Sequence, residues 1–162
     1  MNEDEIFMNE AIQEAKLALN EGNWPIGCVI VLDNKIISKA HNQVYSKNNK
    51  LAHAEIQALQ EAQSILLQNK KKATLYTTYE PCPMCFGATI LSRIKRVVSG
   101  INVDNSGSMH LKEHLPKLFR LEKFDVEFVQ GILSKECYEV FVKGEPTKEL
   151  MKEGLLNNKP QI

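Results

Sequence analysis

No apolar run in this sequence approaches the roughly 20 residues needed to cross a bilayer, which excludes a helical membrane span. The basic, then apolar pattern of a secretory signal is also missing, since Met1-Asn2-Glu3-Asp4-Glu5 is acidic. The expectation is a cytoplasmic protein with no membrane partner. Neither sign of charge dominates. Lysine plus arginine number 20 and aspartate plus glutamate 20, so bulk composition does not describe a surface made to hold a phosphate backbone. Cysteine is sparse, at four residues. In a reducing compartment such residues are metal ligands or buried thiols rather than a disulfide framework. Repeats and low-complexity tracts are absent. What is there is a chain of 162 residues, 43% hydrophobic and 25% charged, enough apolar material for one core of ordinary size.

Helical and strand-like patterns alternate along it. Ile6, Phe7, Ala11, Ala15, Ala18 and Leu19 fall near helical spacing between about 4 and 21, with Asn2 and Glu5 placed as a capping pair and Gly22 at the stop. Residues 26–32 and 35–40 read as strands joined at Asp33-Asn34, a hairpin. A polar loop over 41–51 leads into a helix over 52–67, and Lys70-Lys71-Lys72 is a solvated break. Strand 73–78, helix 83–92, strand 96–100, helix 110–119, strand 124–129 and helix 134–142 complete the body. The alternation predicts an α/β layer structure around one central sheet. One domain is expected over 1–143, with a tail over 144–162 that carries a short helix at 147–153.

Two short segments carry the chemistry, His53-Ala54-Glu55 and Pro81-Cys82-Pro83-Met84-Cys85. An imidazole and two thiolates can hold one zinc ion through His53, Cys82 and Cys85 and leave a tetrahedral position open, the mark of a catalytic rather than a structural site. Glu55 is then free to move protons. Cys82 and Cys85 stand three apart where a helix begins, with Pro83 at the first helical position that proline prefers. Both sulfurs can therefore face one side of the first turn, where unpaired N–H groups favour thiolate over thiol. His53 and Glu55, two apart, are separated by about 200° on a regular helix. They share a site only if the metal lies off the helix end. The same residues admit other readings. A redox pair lacks the βαβ context of such motifs. A Cys2His2 finger from Cys82, Cys85, His110 and His114 needs an interval about twice the usual 12 to 15 residues. Cys28 and Cys137 are most simply small buried residues.

H-x-E followed by P-C-x-x-C is the signature of zinc-dependent nucleobase deaminases. The chain resembles the cytidine/deoxycytidylate deaminase superfamily, in the branch that holds tRNA wobble-adenosine deaminases, guanine deaminases and fungal cytosine deaminases. The likeness runs from about Met8 to Phe141. It includes Trp24-Pro25-Ile26-Gly27, Asn42, Ala73-Thr74-Leu75-Tyr76-Thr77-Thr78, Ser92-Arg93-Ile94 and Gly131-Ile132-Leu133. The resemblance implies a three-layer α/β/α cytidine-deaminase-like fold, a mixed five-stranded sheet flanked by helices, a homodimer, and hydrolytic deamination with Glu55 as the proton shuttle. It also implies that Asn42 binds substrate; a turn former in a loop is the lesser alternative. The Ala54 carbonyl lies beside the metal ligands, and Trp24 can stack at the pocket entrance or serve in packing.

Substrate signals conflict. Ser92-Arg93-Ile94 and Gly131-Ile132-Leu133 look like the tRNA enzymes, whereas Thr77-Thr78 and Ile101-Asn102-Val103 look like cytosine deaminases. Asp104-Asn105-Ser106-Gly107-Ser108 stands where tRNA enzymes carry a Gly-Ala-rich segment, and Asn49-Lys50-Leu51 replaces their Asp-Pro-Thr. Lys135, Lys143, Lys148, Lys152 and Lys159 are matched by Glu136, Glu139, Glu145, Glu149 and Glu153, so the basic C-terminal helix is missing. The tail resembles in outline the segment that closes over the pocket in fungal cytosine deaminases, which would place Leu150 or Met151 over the base and Glu149 or Glu153 near the mouth. A solvated amphipathic helix fits the same residues. The balance favours a free base or small nucleoside as substrate over tRNA. A non-catalytic zinc module that binds a nucleotide or protein is the alternative outside enzyme chemistry, and it leaves Glu55 without a use.

Overall fold

The computed structural model describes residues 1–102 and 106–156. Val103, Asp104, Asn105 and Lys159, which bear on the substrate signals, lie outside the described residues. Helix α1, Glu3–Asn20, starts at the expected capping box, with the Asn2 side chain and the Glu5 side chain each bonded to the other's backbone N–H. Strands β1, Gly27–Leu32, and β2, Lys35–His41, form the hairpin, and Asp33 and Asn34 both take positive φ, 49° and 57°, as a tight two-residue turn requires. Then come α2, Ala54–Gln68, β3, Thr74–Tyr79, α3, Pro83–Leu91, and β4, Arg96–Ile101. Strand β5, Glu127–Val129, precedes α4, Ser134–Phe141, and α5, Glu145–Lys152. No helix among the described residues is long and apolar enough to cross a membrane.

The sheet runs β2-β1-β3-β4-β5, antiparallel on the β2-β1-β3 side and parallel on the β3-β4-β5 side, so it is mixed and five-stranded as expected. Alternate residues of each strand face opposite layers. Cys28, Ile30, Leu75 and Val97 pack with α2 and α3, while Val29, Val31, Tyr76 and Val98 pack with α1 and α4. With both faces covered, β1 is buried along its whole length. Gly27 permits a close approach of α1 to the sheet. A Cβ there would lie 2.0 Å from the Ala11 carbonyl oxygen and 2.4 Å from the Ala15 nitrogen.

One segment departs from expectation. The helix anticipated over 110–119 is instead a series of 3-10 turns, Met109–His114, Lys117–Arg120 and Glu122–Phe124. Pro116 is the cause: it lacks an N–H, and it forces Leu115 into an extended conformation, φ −63° and ψ 148°. The strand anticipated over 124–129 correspondingly shortens to Glu127–Val129.

Registers place the functional segments at one edge of the sheet. Gly27 pairs with His41, Cys28 with Thr77, and Tyr79 with Ile101. The start of β1 therefore lies beside the ends of β2, β3 and β4. Loops bearing Trp24, Asn42, Glu80 and Ser106 all leave the sheet from this edge.

Candidate active site

The proline after Cys82 ends β3's exit loop and opens α3. Cys82 is the N-cap, φ −69° and ψ 170°, with Pro83 at the first helical position and Cys85 in the first turn. Cys85 is fully buried and Cys82 partly so. His53 is likewise the N-cap of α2, with extended backbone, φ −72° and ψ 150°, and its ring makes no capping bond. This resolves the angular difficulty of an H-x-E pair. His53 precedes the helix, so the 100° step does not separate it from Glu55, and both reach one point from the helix end.

The three ligand atoms lie within 4.8 Å of one another. His53 Nδ1 is 3.6 Å from Cys82 Sγ and 3.5 Å from Cys85 Sγ. A tetrahedral zinc with ordinary Zn–S and Zn–N bonds holds sulfur and nitrogen about 3.6 Å apart, so these residues fit the ion. Among the described residues no other group of His, Cys, Asp or Glu is so arranged. The finger built on His110 and His114 does not form. Three protein ligands leave the fourth position for a molecule that reacts.

The two sulfurs by themselves divide a single negative charge. Hydrogen bonding from the Cys85 thiol, opposed by burial and aided by His53, brings Cys82 down to about 4. The neighbouring Cys82 thiolate and burial push Cys85 up, and Glu55 adds to the effect. A divalent cation removes the conflict, because both thiolates then face positive charge. The Cys82 contact raises His53 above the usual imidazole range despite burial. Glu55, 4% exposed, is raised above the ordinary carboxylate range chiefly by burial. Its Oε1 accepts from the Thr77 hydroxyl at 3.3 Å and its Oε2 from the Cys85 thiol at 3.4 Å. Cys28 and Cys137 are free, buried thiols, and burial pushes both up, Cys137 to about 12.

A cavity of about 270 Å³ opens onto this centre, reaching His53, Glu55, Cys82, Asn42 and Trp24. Asn42 is buried, and its Oδ1 accepts from the Val44 N–H at 3.1 Å. It is thus a turn residue and a pocket residue at once. Trp24 stacks on Phe141, centroids 6.3 Å apart, and Phe141 meets Tyr79 at 4.8 Å. Of that aromatic wall Trp24 was singled out from the sequence, whereas Phe141 and Tyr79, with Ile26, Glu80, Ser106 and Leu156, were not. Apolar residues at the ends of α4 and β3 look like core, and no local pattern marks them for a cavity. Leu150 of α5 lines the pocket, while Ala54, Met151, Glu149 and Glu153 do not. Ala54 is packed inside α2's first turn, and Glu149 and Glu153 are exposed because α5 turns its apolar face inward and keeps its carboxylates in water.

An open zinc position beside a buried proton-accepting carboxylate, on an α/β/α scaffold, defines a zinc-dependent hydrolytic deaminase. The model of the cytidine and deoxycytidylate deaminase zinc-binding region matches residues 1–101, and the chain belongs to that family. The tRNA-specific adenosine deaminase of Bacillus subtilis (strain 168) is 42% identical over 140 residues, 85% of this chain and 85% of that protein. The protein of the same name from Buchnera aphidicola subsp. Schizaphis graminum (strain Sg) is 39% identical over 141 residues, 86% of this chain and 91% of that one. A chain from a structural study of A-to-I editing by tRNA:A34 deaminases superposes with a TM-score of 0.70 at 32% identity, covering 83% of this chain and 98% of that one. Guanine deaminase from Nitrosomonas europaea shares the fold, with a TM-score of 0.67 at 22% identity over 86% of this chain and 84% of that one. Family membership sets aside the non-catalytic zinc module.

Proposed function

We propose that the protein deaminates the wobble adenosine of tRNA to inosine, replacing the C6 amino group with a carbonyl oxygen and releasing ammonia. The observation that carries this reading is 42% identity to a tRNA-specific adenosine deaminase across 85% of both chains. It reverses the preference for a free base or small nucleoside. That preference rested on a neutral tail, a missing Gly-Ala-rich segment, Asn49-Lys50-Leu51 in place of Asp-Pro-Thr, and the tail's likeness to cytosine deaminases; identity over most of the chain outweighs these local departures. RNA affinity depends on where a few lysines and arginines stand, not on their sum.

In this reading His53, Cys82 and Cys85 would hold one zinc ion. Bound there, zinc would supply Lewis acidity that lowers the pKa of water toward about 7. Glu55 takes the proton that the water loses and gives it to the ring nitrogen N1 as the oxygen adds to C6. It then carries the hydroxyl proton to the amine, which leaves as ammonia and closes the carbonyl. Asn42, whose Oδ1 is engaged by Val44, offers its amide N–H groups to the base. Trp24 and Phe141 form an apolar wall for the ring. Residues 144–156 form a roof through Leu150 and Leu156.

The test is ammonia release and inosine content with a transcribed tRNA, set against cytosine, guanine, adenine and their nucleosides. Inosine confined to the anticodon is expected. Turnover of a free base with none on tRNA would return the function to nucleobase salvage chemistry.

A further inference from the structure

Glu80 has no part in the chemistry above, yet it is 3% exposed and borders the pocket. It lies between the end of β3 and the ligand Cys82. Its Oε1 accepts from the Met109 N–H at 2.9 Å and its Oε2 from the Gln130 side-chain amide at 2.6 Å. Both donors come from segments that follow β4. The backbone adds two further ties, Glu80 N–H to the Ile101 carbonyl at 2.7 Å and Ser108 N–H to the Pro81 carbonyl at 3.0 Å. Gly107 is pressed against the carboxylate: a Cβ there would lie 2.1 Å from Glu80 Cδ and 2.3 Å from Oε1. The next residue back, Ser106, lines the pocket.

We propose that Glu80 is a positioning residue for the deamination. Its carboxylate clamps residues 106–109 to the strap that carries Cys82 and so sets the Ser106 wall of the substrate pocket. A carboxylate suits this place because it presents an acceptor at each end, and each of the two ends meets an N–H donor. Gly107 suits it because any side chain would occupy the carboxylate's seat. A residue that only stabilised the fold would change the amount of folded enzyme. A clamp on the pocket wall changes how well substrate is held.

The test uses the zinc-loaded full-length chain and three variants, Glu80→Ala, Glu80→Gln and Gly107→Ala. Measured are zinc content, KM and kcat per zinc on transcribed tRNA, and amide hydrogen exchange at Ser108 and Met109. Glu80→Ala is expected to keep one zinc per chain, to raise KM about tenfold with kcat per zinc within about twofold, and to speed exchange at Met109 by about ten- to a hundredfold, as befits loss of a hydrogen bond to a charged group. Gly107→Ala, which keeps the Glu80 residue but takes its carboxylate's seat, is expected to give the same pattern. Glu80→Gln is expected to restore it, since Gln keeps an acceptor for Met109 and the exposed Gln130 can turn its amide to match. A fall in melting temperature with KM and Met109 exchange unchanged would overturn the clamp. So would loss of kcat at constant KM. The KM arm rests on the tRNA reading. If wild-type protein does not act on tRNA, that reading has failed, and the exchange arm still decides the clamp.

Discussion

Glu55 sits within reach of the Thr77 hydroxyl and beside the sulfur of Cys85, in a setting almost closed to solvent. It donates no atom to the three-ligand group. Its removal as a base therefore separates metal binding from turnover. Glu55→Gln, nearly equal in shape, should retain one zinc per chain by elemental analysis while kcat falls by about 10² to 10⁴. Zinc lost in step with activity would instead make the carboxylate a structural partner of the metal. At this scale the ligands were legible because few residue types bind zinc and their spacing matched two helix starts. Tyr79, Glu80 and Phe141 were not legible. An aromatic at the end of a strand or helix has the same signature whether it faces a core or a cavity, and a carboxylate before proline does not announce its partners.

Among the elements, α1 shows most clearly how local and distant forces combine. Its capping box forms within residues 2–5, its apolar face packs on the sheet, and Asp4 adds a polar tie to β3 and β4. That carboxylate receives Arg96 Nη1 at 2.6 Å, Arg96 Nη2 at 2.8 Å and the Tyr76 hydroxyl at 2.9 Å. The Arg96 guanidinium is the main reason that Asp4 is held below the usual carboxylate range, against some cost of burial. Because the folded pKa is the lower one, the stabilisation is complete above the unfolded aspartate's value near 4 and is lost as pH falls through the folded value. Asp4→Asn is expected to cost about 1 to 3 kcal/mol at neutral pH. In urea titrations the gap between wild type and variant should stay constant from pH 7 to 5 and narrow below about 4. A gap independent of pH would deny the pair its role. Helix and strand order was readable from periodicity, since most elements have one clearly apolar face. The 110–119 segment misled because its apolar residues keep a near-helical rhythm while Pro116 breaks the backbone that would carry it.

For the molecule as a whole, the site depends on one edge of a sheet and on a tail that returns to it. Gly144 packs on Pro25, where a Cβ would lie 2.6 Å from the ring, and Pro146 and Thr147 are buried beyond it. The chain ending at Lys143 should thus still bind zinc through α2 and α3 but lose the Leu150 and Leu156 surface. We expect KM for the substrate to rise roughly tenfold, in keeping with the burial of one or two leucine side chains. An unchanged KM with intact zinc would show that 144–162 is a domain appendage and not a roof. The sequence alone pointed to the metal, to the three residues that could hold it, to Glu55 as the proposed proton carrier and to the layer order, because each rests on residue type and short-range spacing. Only the tertiary structure decided which apolar side chains face substrate, that Glu149 and Glu153 stay in water, and that Glu80 joins two loops. Those outcomes depend on contacts between residues tens of positions apart, brought together by strand register and packing, which no local pattern encodes.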